Sequence, residues 1–206
     1  ASICGLSGQA EIMAVDLSTR EACQSVIDKA LSLWSKLDVL CNIAGVVRMS
    51  NVADVDENDW QALVSTNMAA PFWLSQAAIP HLIKTQGNIV NCLSQSATLL
   101  IRTTPAFKGS AYVVPYSMTK GAILMMTKSM AMEFINEPIR INAVSPGAMT
   151  TGMSDIQLPD NMDVSLLMRY SGIRGPAMPD DVASLVVFAA SDDAKIMHGA
   201  VLCGDN

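Results

Sequence analysis

Apolar residues enter this chain in two rhythms. Five short unbroken runs, EIMAV (11–15), DVLCNIAG (38–45), GNIVNCLS (87–94), IRINAVSPG (139–147) and GAVLCGD (199–205), have the length and make-up of strands buried on both faces. Between them, apolar positions recur every three to four residues, the spacing of amphipathic helices. STRE (18–21) reads as a capping box, with Ser18 as N-cap and Glu21 reaching back. Ala22, Val26, Ala30, Leu33 and Leu37 continue that helix. Asp56 is placed to cap a long second helix reaching about residue 84, in which Pro71 and Pro80 predict bends or interruptions. A third helix runs from near Tyr116 to about Ile135, and MPDDVASLVVFAAS (178–191) forms another. The stretch from 148 to 177 is irregular and rich in Met.

Alternating strands and helices predict one α/β domain: a doubly wound parallel sheet joined by right-handed crossovers. Ligands of such sheets bind beyond the carboxyl ends of the strands. The polar residues at those ends are Asp16, Asn42, Ser94 and the turn from Pro146 to Thr151, which would fall along one edge. EIMAV would be the first strand, ending at Asp16.

Composition narrows the classes. Half of the 206 residues are hydrophobic and only 16% are charged, enough for a sizeable core. A net charge of −6 and the lack of a basic stripe argue against nucleic-acid binding. No apolar run approaches the roughly 20 residues a membrane helix requires. Cys4, Cys23, Cys41, Cys92 and Cys203 are scattered and never paired as C-x-x-C, so they read as structural thiols in a reducing, cytoplasmic setting. His81 and His198 have no ligand-like spacing, and no metal site is expected.

The candidate chemistry lies in YVVPYSMTKGA (112–122). On a helix Tyr116 and Lys120 share a face at i and i+4. A free phenol has a pKa near ~10 and is a poor base at neutral pH. A neighbouring ammonium stabilises phenolate, and a downward shift of about three units needs roughly 4 kcal/mol of differential stabilisation. The plainer reading is an amphipathic phenol beside a solvated lysine. Tyr112 has no lysine four residues on and reads as packing. Ser94 closes a strand at the same edge, where its hydroxyl could hold a carbonyl oxygen. Asn67 sits mid-helix in VSTNMAAP, where an amide has no helical advantage.

With these pieces in order, the chain resembles the short-chain dehydrogenase/reductase family over nearly its whole length. The matching stretches are AVDLS, NIAG (42–45), the STN ending at Asn67, IVNCLS ending at Ser94, YSMTK and RINAVSPGAMTT, followed by the segment from RGPAMPDD to HGAVL. The resemblance implies a Rossmann-like fold and an NAD- or NADP-linked oxidoreductase that interconverts a secondary alcohol and a ketone. Tyr116 would be the general acid/base and Ser94 would orient the carbonyl. Lys120 would lower the phenol's pKa and bond the nicotinamide ribose, and Asn67 would hold a water relaying protons to it. Asp16, with Leu17 beside it, would meet the adenine. Asn42, Ala44 and Gly45 would line the cofactor's middle, and Pro146, Gly147, Met149 and Thr151 would flank the carboxamide. A small carbonyl or alcohol substrate and a homodimer or homotetramer follow, with the Met-rich helix from 116 at a subunit interface.

The chain also departs from that pattern. It has no Gly-rich T-G-x-x-x-G-x-G turn, so its first expected strand matches the family's third and the sheet is read as N-terminally incomplete, part of a longer chain. Without the two intervening strands, EIMAV would stand about 14 Å from a partner, and DVLCNIAG would be an open edge. Ser94 precedes Tyr116 by 22 residues, against roughly a dozen in the family, and the extra LIRTTPAFKGSAY would serve as a pocket lid or a surface loop. A catalytically silent scaffold or binding protein is the alternative if the opening portion is truly absent. A serine hydrolase using Ser94 is weakened by the lack of a G-x-S-x-G elbow.

Overall fold

The computed structural model describes residues 8–94, 110–150, 158–159, 161–168 and 175–204. Four strands, β1 (Val39–Asn42), β2 (Asn88–Cys92), β3 (Arg140–Pro146) and β4 (Val201–Gly204), pair in parallel in chain order. Because side chains alternate along a strand, each strand feeds two cores. Ile89 and Ile141 pack with Leu74, Ala78 and Leu82 of α3 (Ala70–Thr85) and with Met130 and Ala131 of α4 (Val114–Glu133). Val90 and Val144 pack against Val182 and Ala189 of α6 (Pro179–Ala190) on the opposite face. Helix α1 (Arg20–Trp34) closes the first core with Cys23 and Ile27.

This is the expected Rossmann-like layering, with one difference in the connections. The β1–β2 and β2–β3 crossovers run through α3 and α4 on one face, whereas β3–β4 runs through α6 on the other. The strands advance in one direction, so the third crossover has the opposite hand to the first two and the three cannot all be right-handed. The periodicity of a helix shows that it is amphipathic but not which face of the sheet it covers.

The first expected strand does not form. Residues 8–16 lie outside regular structure, and Ile12 is 93% exposed. Met13, Val15 and Leu17 face Leu40, Cys41 and Ala44 across a cavity of about 260 Å³ instead of hydrogen bonding to an edge. A β-strand needs a partner within about 4.8 Å, and none stands there among the described residues. The outer edge of β1 is open as expected, with Cys41 exposed.

Helix ends were legible to within about three residues: α1 stops at Trp34 and not Leu37, and α4 spans Val114–Glu133 and not 116–135. The α1 N-cap is Thr19, not Ser18: its hydroxyl accepts from the Ala22 N–H at 3.2 Å. The Asp16 carboxylate takes the Ser18 N–H at 3.0 Å, which moves the helix start one residue on. Asp56 caps α2 (Glu57–Val64), accepting from the N–H groups of Asn58 and Asp59. The prolines do not break the long helix that follows. It widens into a π turn over Ser65–Ala69 and continues as α3 through Pro80. Pro71 has no N–H to offer the carbonyl of Asn67, and the Ala70 N–H reaches back to Ser65 O across the wider turn. The irregular segment before α6 contains a short helix, α5 (Val164–Met168), which its sequence did not announce.

No helix among the described residues is long and apolar enough to cross a membrane. His198 is structural: its Nδ1 accepts the Ile141 N–H at 3.3 Å and its Nε2 lies 2.6 Å from the Ala131 carbonyl. Only a neutral ring with the proton on Nε2 satisfies both bonds.

Arg140 ties β3 to the end of α6. Its guanidinium donates to the carbonyls of Ala189 at 3.1 Å, Ser191 at 3.0 Å and Ala194 at 3.2 Å, a cation against the negative end of a helix. Arg140→Ala is expected to destabilise the chain by about 2 kcal/mol, because it unmakes a charge-assisted cluster. Urea unfolding checks this, and a midpoint equal to wild type would show that the cluster contributes nothing.

Candidate active site

Tyr116 and Lys120 lie in the first turns of α4, whose N-terminus stands over the carboxyl end of β2. The face they share is the one read from the sequence. Lys120 Nζ sits 5.7 Å from the centre of the Tyr116 ring and donates to the Cys92 carbonyl at 2.9 Å, one residue before Leu93 turns into the core. The lysine is 5% exposed, and among the described residues its ammonium makes that one hydrogen bond. Ser94 follows two residues after Cys92 and shares a hydrogen bond with the Tyr116 hydroxyl. Ser94, Tyr116 and Lys120 are thus gathered at one strand end.

The electrostatics differ from the simple expectation for a phenol beside a lysine. Burial pushes the Tyr116 phenol above its ordinary pKa, the Ser94 hydrogen bond opposes this, and the nearby Cys92 adds to the rise. The ammonium lies against the ring face and points to a backbone carbonyl, so it does not hold the phenol down. Burial lowers the pKa of Lys120, with Cys92 acting in the other direction. Burial also raises that of the Cys92 thiol, and Lys120 opposes it. Desolvation dominates all three groups.

Asn67 is 1% exposed in the π turn. Its Oδ1 accepts the Val46 N–H at 2.8 Å, and its Nδ2 donates to the Val46 carbonyl at 2.7 Å and to Thr119 Oγ1 at 3.3 Å. Thr119 in turn donates to the Tyr116 carbonyl at 2.7 Å. The amide therefore fastens the segment after β1 to the helix that carries Tyr116. Its own main-chain carbonyl has no i+4 donor, because residue 71 is a proline. Thr119 was missed from the sequence; its place three residues after Tyr116, where a threonine bonds back to a helical carbonyl, was the available signal.

The remaining candidates divide. The side chain of Asn42 is turned inward, donating to Asn91 Oδ1 at 2.8 Å and to Ser75 Oγ at 3.2 Å, while Asn91 donates to Thr127 at 2.9 Å. Beyond β1, Ala44 is exposed and Gly45 half-buried, so their backbone remains open to a ligand. Pro146 ends β3, the Gly147 N–H bonds to the Gly204 carbonyl at 2.8 Å, and Met149 pairs with Ala177 in an isolated bridge. Asp16 is exposed, and Leu17 packs on the first core and lines a cavity with Asn42 and Ala44 at the end of β1. Thr151 and most of the insert between Ser94 and Tyr116 lie outside the described residues.

A parallel sheet with helices on both faces, carrying a serine, a tyrosine and a lysine at the end of one inner strand, defines a Rossmann-like oxidoreductase. Known proteins agree with this class. The family model described as Enoyl-(Acyl carrier protein) reductase matches residues 4–206. A 3-oxoacyl-(acyl-carrier-protein) reductase of Chlamydia pneumoniae is 32% identical over 205 residues, 99% of this chain and 78% of that protein. The meso-2,3-butanediol dehydrogenase of Serratia marcescens is 30% identical over 196 residues, 94% of this chain and 72% of that protein. Among solved structures, a mutant short-chain dehydrogenase/reductase of Serratia marcescens superposes with a TM-score of 0.82 at 25% identity, covering 98% of this chain and 78% of that one. The chain belongs to the short-chain dehydrogenase/reductase family, and it is an oxidoreductase.

The buried ammonium costs stability in this environment. A lysine whose pKa is lowered on folding destabilises the folded state most at low pH, and the cost fades as pH rises through the lowered value towards that of the unfolded chain. Lys120→Met is therefore expected to unfold at higher urea than wild type at pH 7, with the gap narrowing as pH rises towards the ordinary lysine range. Urea midpoints across pH check this; a gap that widens with pH would contradict it.

Proposed function

We propose that the protein interconverts a secondary alcohol and its ketone using NAD or NADP, with Tyr116 as the proton donor and acceptor. The observation that carries this is the convergence of Ser94, Tyr116 and Lys120 at the carboxyl end of β2. The nicotinamide ring supplies or accepts the hydride when bound. Its ribose suits Lys120, whose buried ammonium has two N–H groups beyond the one on Cys92. Backbone at Ala44, Gly45, Pro146 and Gly147, with Met149 and Thr151 at the far side, would flank the rest of the cofactor. Asp16 and Leu17 would reach the adenine end, and Asn42 would act through the sheet rather than by contact.

Ser94 and Tyr116 already share a hydrogen bond, so a carbonyl oxygen seated between them would accept from both hydroxyls. A phenol held above its ordinary pKa is fully protonated at neutral pH and ready to give its proton to an oxygen gaining negative charge. The resting site is thus set for ketone reduction; alcohol oxidation needs a bound positive charge to draw the phenol down. A water on the Asn67 carbonyl would pass protons towards Lys120.

Following absorbance at the nicotinamide band with a panel of ketones tests this reading. Tyr116→Phe is expected to lower kcat by about 10²–10⁴-fold and Ser94→Ala to lower it substantially. Turnover by Tyr116→Phe at the wild-type rate would end the acid/base assignment. A cytoplasmic setting and a small carbonyl substrate belong to the same reading.

We further infer a homodimer or homotetramer formed through α4. Met118, Met125 and Met132 recur every seven residues and are 55%, 60% and 70% exposed, so three apolar side chains project from one side of the helix. Met125→Glu is expected to shift the mass measured by light scattering towards the monomer; a wild-type chain that is already monomeric at micromolar concentration would refute the assembly.

A further inference from the structure

Tyr112 is the one aromatic residue among the described residues with a left-handed backbone. Its φ is 65°; the other non-glycine residues with positive φ, Ser35 and Gln86, are helix C-caps, where that conformation is ordinary. A tyrosine has no such excuse. Its Cβ crowds the backbone, so surrounding contacts must hold it there.

Two contacts do so. The Tyr112 carbonyl accepts the Ser50 N–H at 2.9 Å, and the phenol oxygen accepts the Asp163 N–H at 2.8 Å. Ser50 belongs to the segment after β1 that Asn67 fastens at Val46. Asp163 starts α5: its carboxylate accepts from the Ser165 N–H at 2.9 Å and its carbonyl from the Leu166 N–H at 3.0 Å. Tyr112 thus joins two distant segments at a point two residues before α4 and four positions from Tyr116.

Those segments are also the walls of a cavity of about 340 Å³. Ser50, Asn51 and Asp54 line one side, and Leu158, Pro159 and Asn161 the other. This cavity carries the Ser50 hydroxyl, the Asn51 amide and the Asp54 carboxylate on one wall and the Asn161 amide on the other, beside Met49, Leu158 and Pro159. Its size and lining suit a small organic group that exchanges hydrogen bonds.

We propose that Tyr112 is a positioning residue for substrate: it fixes the gap between these walls, where the non-reacting, hydroxyl-bearing end of a ketone is held. The inference rests on the oxidoreductase reading above. It explains why a strained backbone is kept next to the catalytic helix: the left-handed turn directs the carbonyl to one wall and the phenol to the other.

Tyr112→Phe keeps the ring and removes the bond to Asp163, and Tyr112→Asn, which tolerates the left-handed backbone, removes it as well. In both, amide exchange at Asp163 measured by NMR should quicken about tenfold, the worth of one hydrogen bond. For a ketone with a terminal hydroxyl group, KM should rise by about tenfold with kcat within about twofold. For an alkyl ketone of the same length, KM should change by less than about twofold. Unaltered exchange at Asp163 overturns the proposal, and so does an equal rise in KM for both ketones or a fall in kcat at constant KM. If wild type turns over no ketone with either cofactor, the alcohol–ketone reading falls and takes this inference with it. If turnover is normal and KM does not separate the two ketones, only the inference falls.

Discussion

One buried cation organises the reactive end of this protein. The Lys120 ammonium lies almost fully out of water and finds the Cys92 carbonyl at the end of β2. An ammonium placed there without a partner would be far more costly, so α4 can dock in one register only, with its fifth to seventh residues over that strand end. This register sets Tyr116 beside Ser94 and turns Ile123 into the core against Leu93 and Ala143. The same desolvation that makes Lys120 expensive raises the phenol, so burial decides both where the helix sits and how firmly the phenol holds its proton.

Around that point the structure relies on buried side-chain amides and hydroxyls that bond to one another, although Asn42 Oδ1 finds no partner among the described residues. Asn67 binds both polar atoms of the Val46 backbone and, through Thr119, the first turn of α4. Asn42, Asn91, Thr127 and Ser75 form a second chain linking β1, β2, α3 and α4. Such bonds add modest net stability but leave few alternatives, since each unmade partner inside a low-dielectric core is heavily penalised. Apolar packing alone would let α3 and α4 slide on the sheet; the amides fix their positions. The π turn belongs to this scheme, because Pro71 forces a wider turn where Asn67 must reach inward.

Relatedness and geometry bear on different parts of the function. Membership in the family reaches almost the whole chain and gives the class of chemistry. The polar cavity at Ser50 and Asn161 and the strained Tyr112 are read from the geometry of this chain. Substrate choice depends on such particulars, because the reacting centre of an oxidoreductase is shared and the walls beyond it are not.

The amino-acid sequence determined the elements that local physics controls. Apolar runs placed four of the five expected strands, helical spacing placed the long helices, and Asp56 named its own cap. The i, i+4 spacing put Tyr116 and Lys120 on one face, as the structure has them. Tertiary structure decided whatever depended on a neighbour. EIMAV has the pattern of a strand, yet it lies across a cavity from the open edge of β1, and a ladder forms only where two backbones come within bonding distance. The hand of the last crossover followed from which sheet face α6 could cover, which no periodicity encodes. The direction of the Tyr116 shift was set by how much water the fold removed and by where the ammonium pointed, and those are properties of a cavity, not of a spacing.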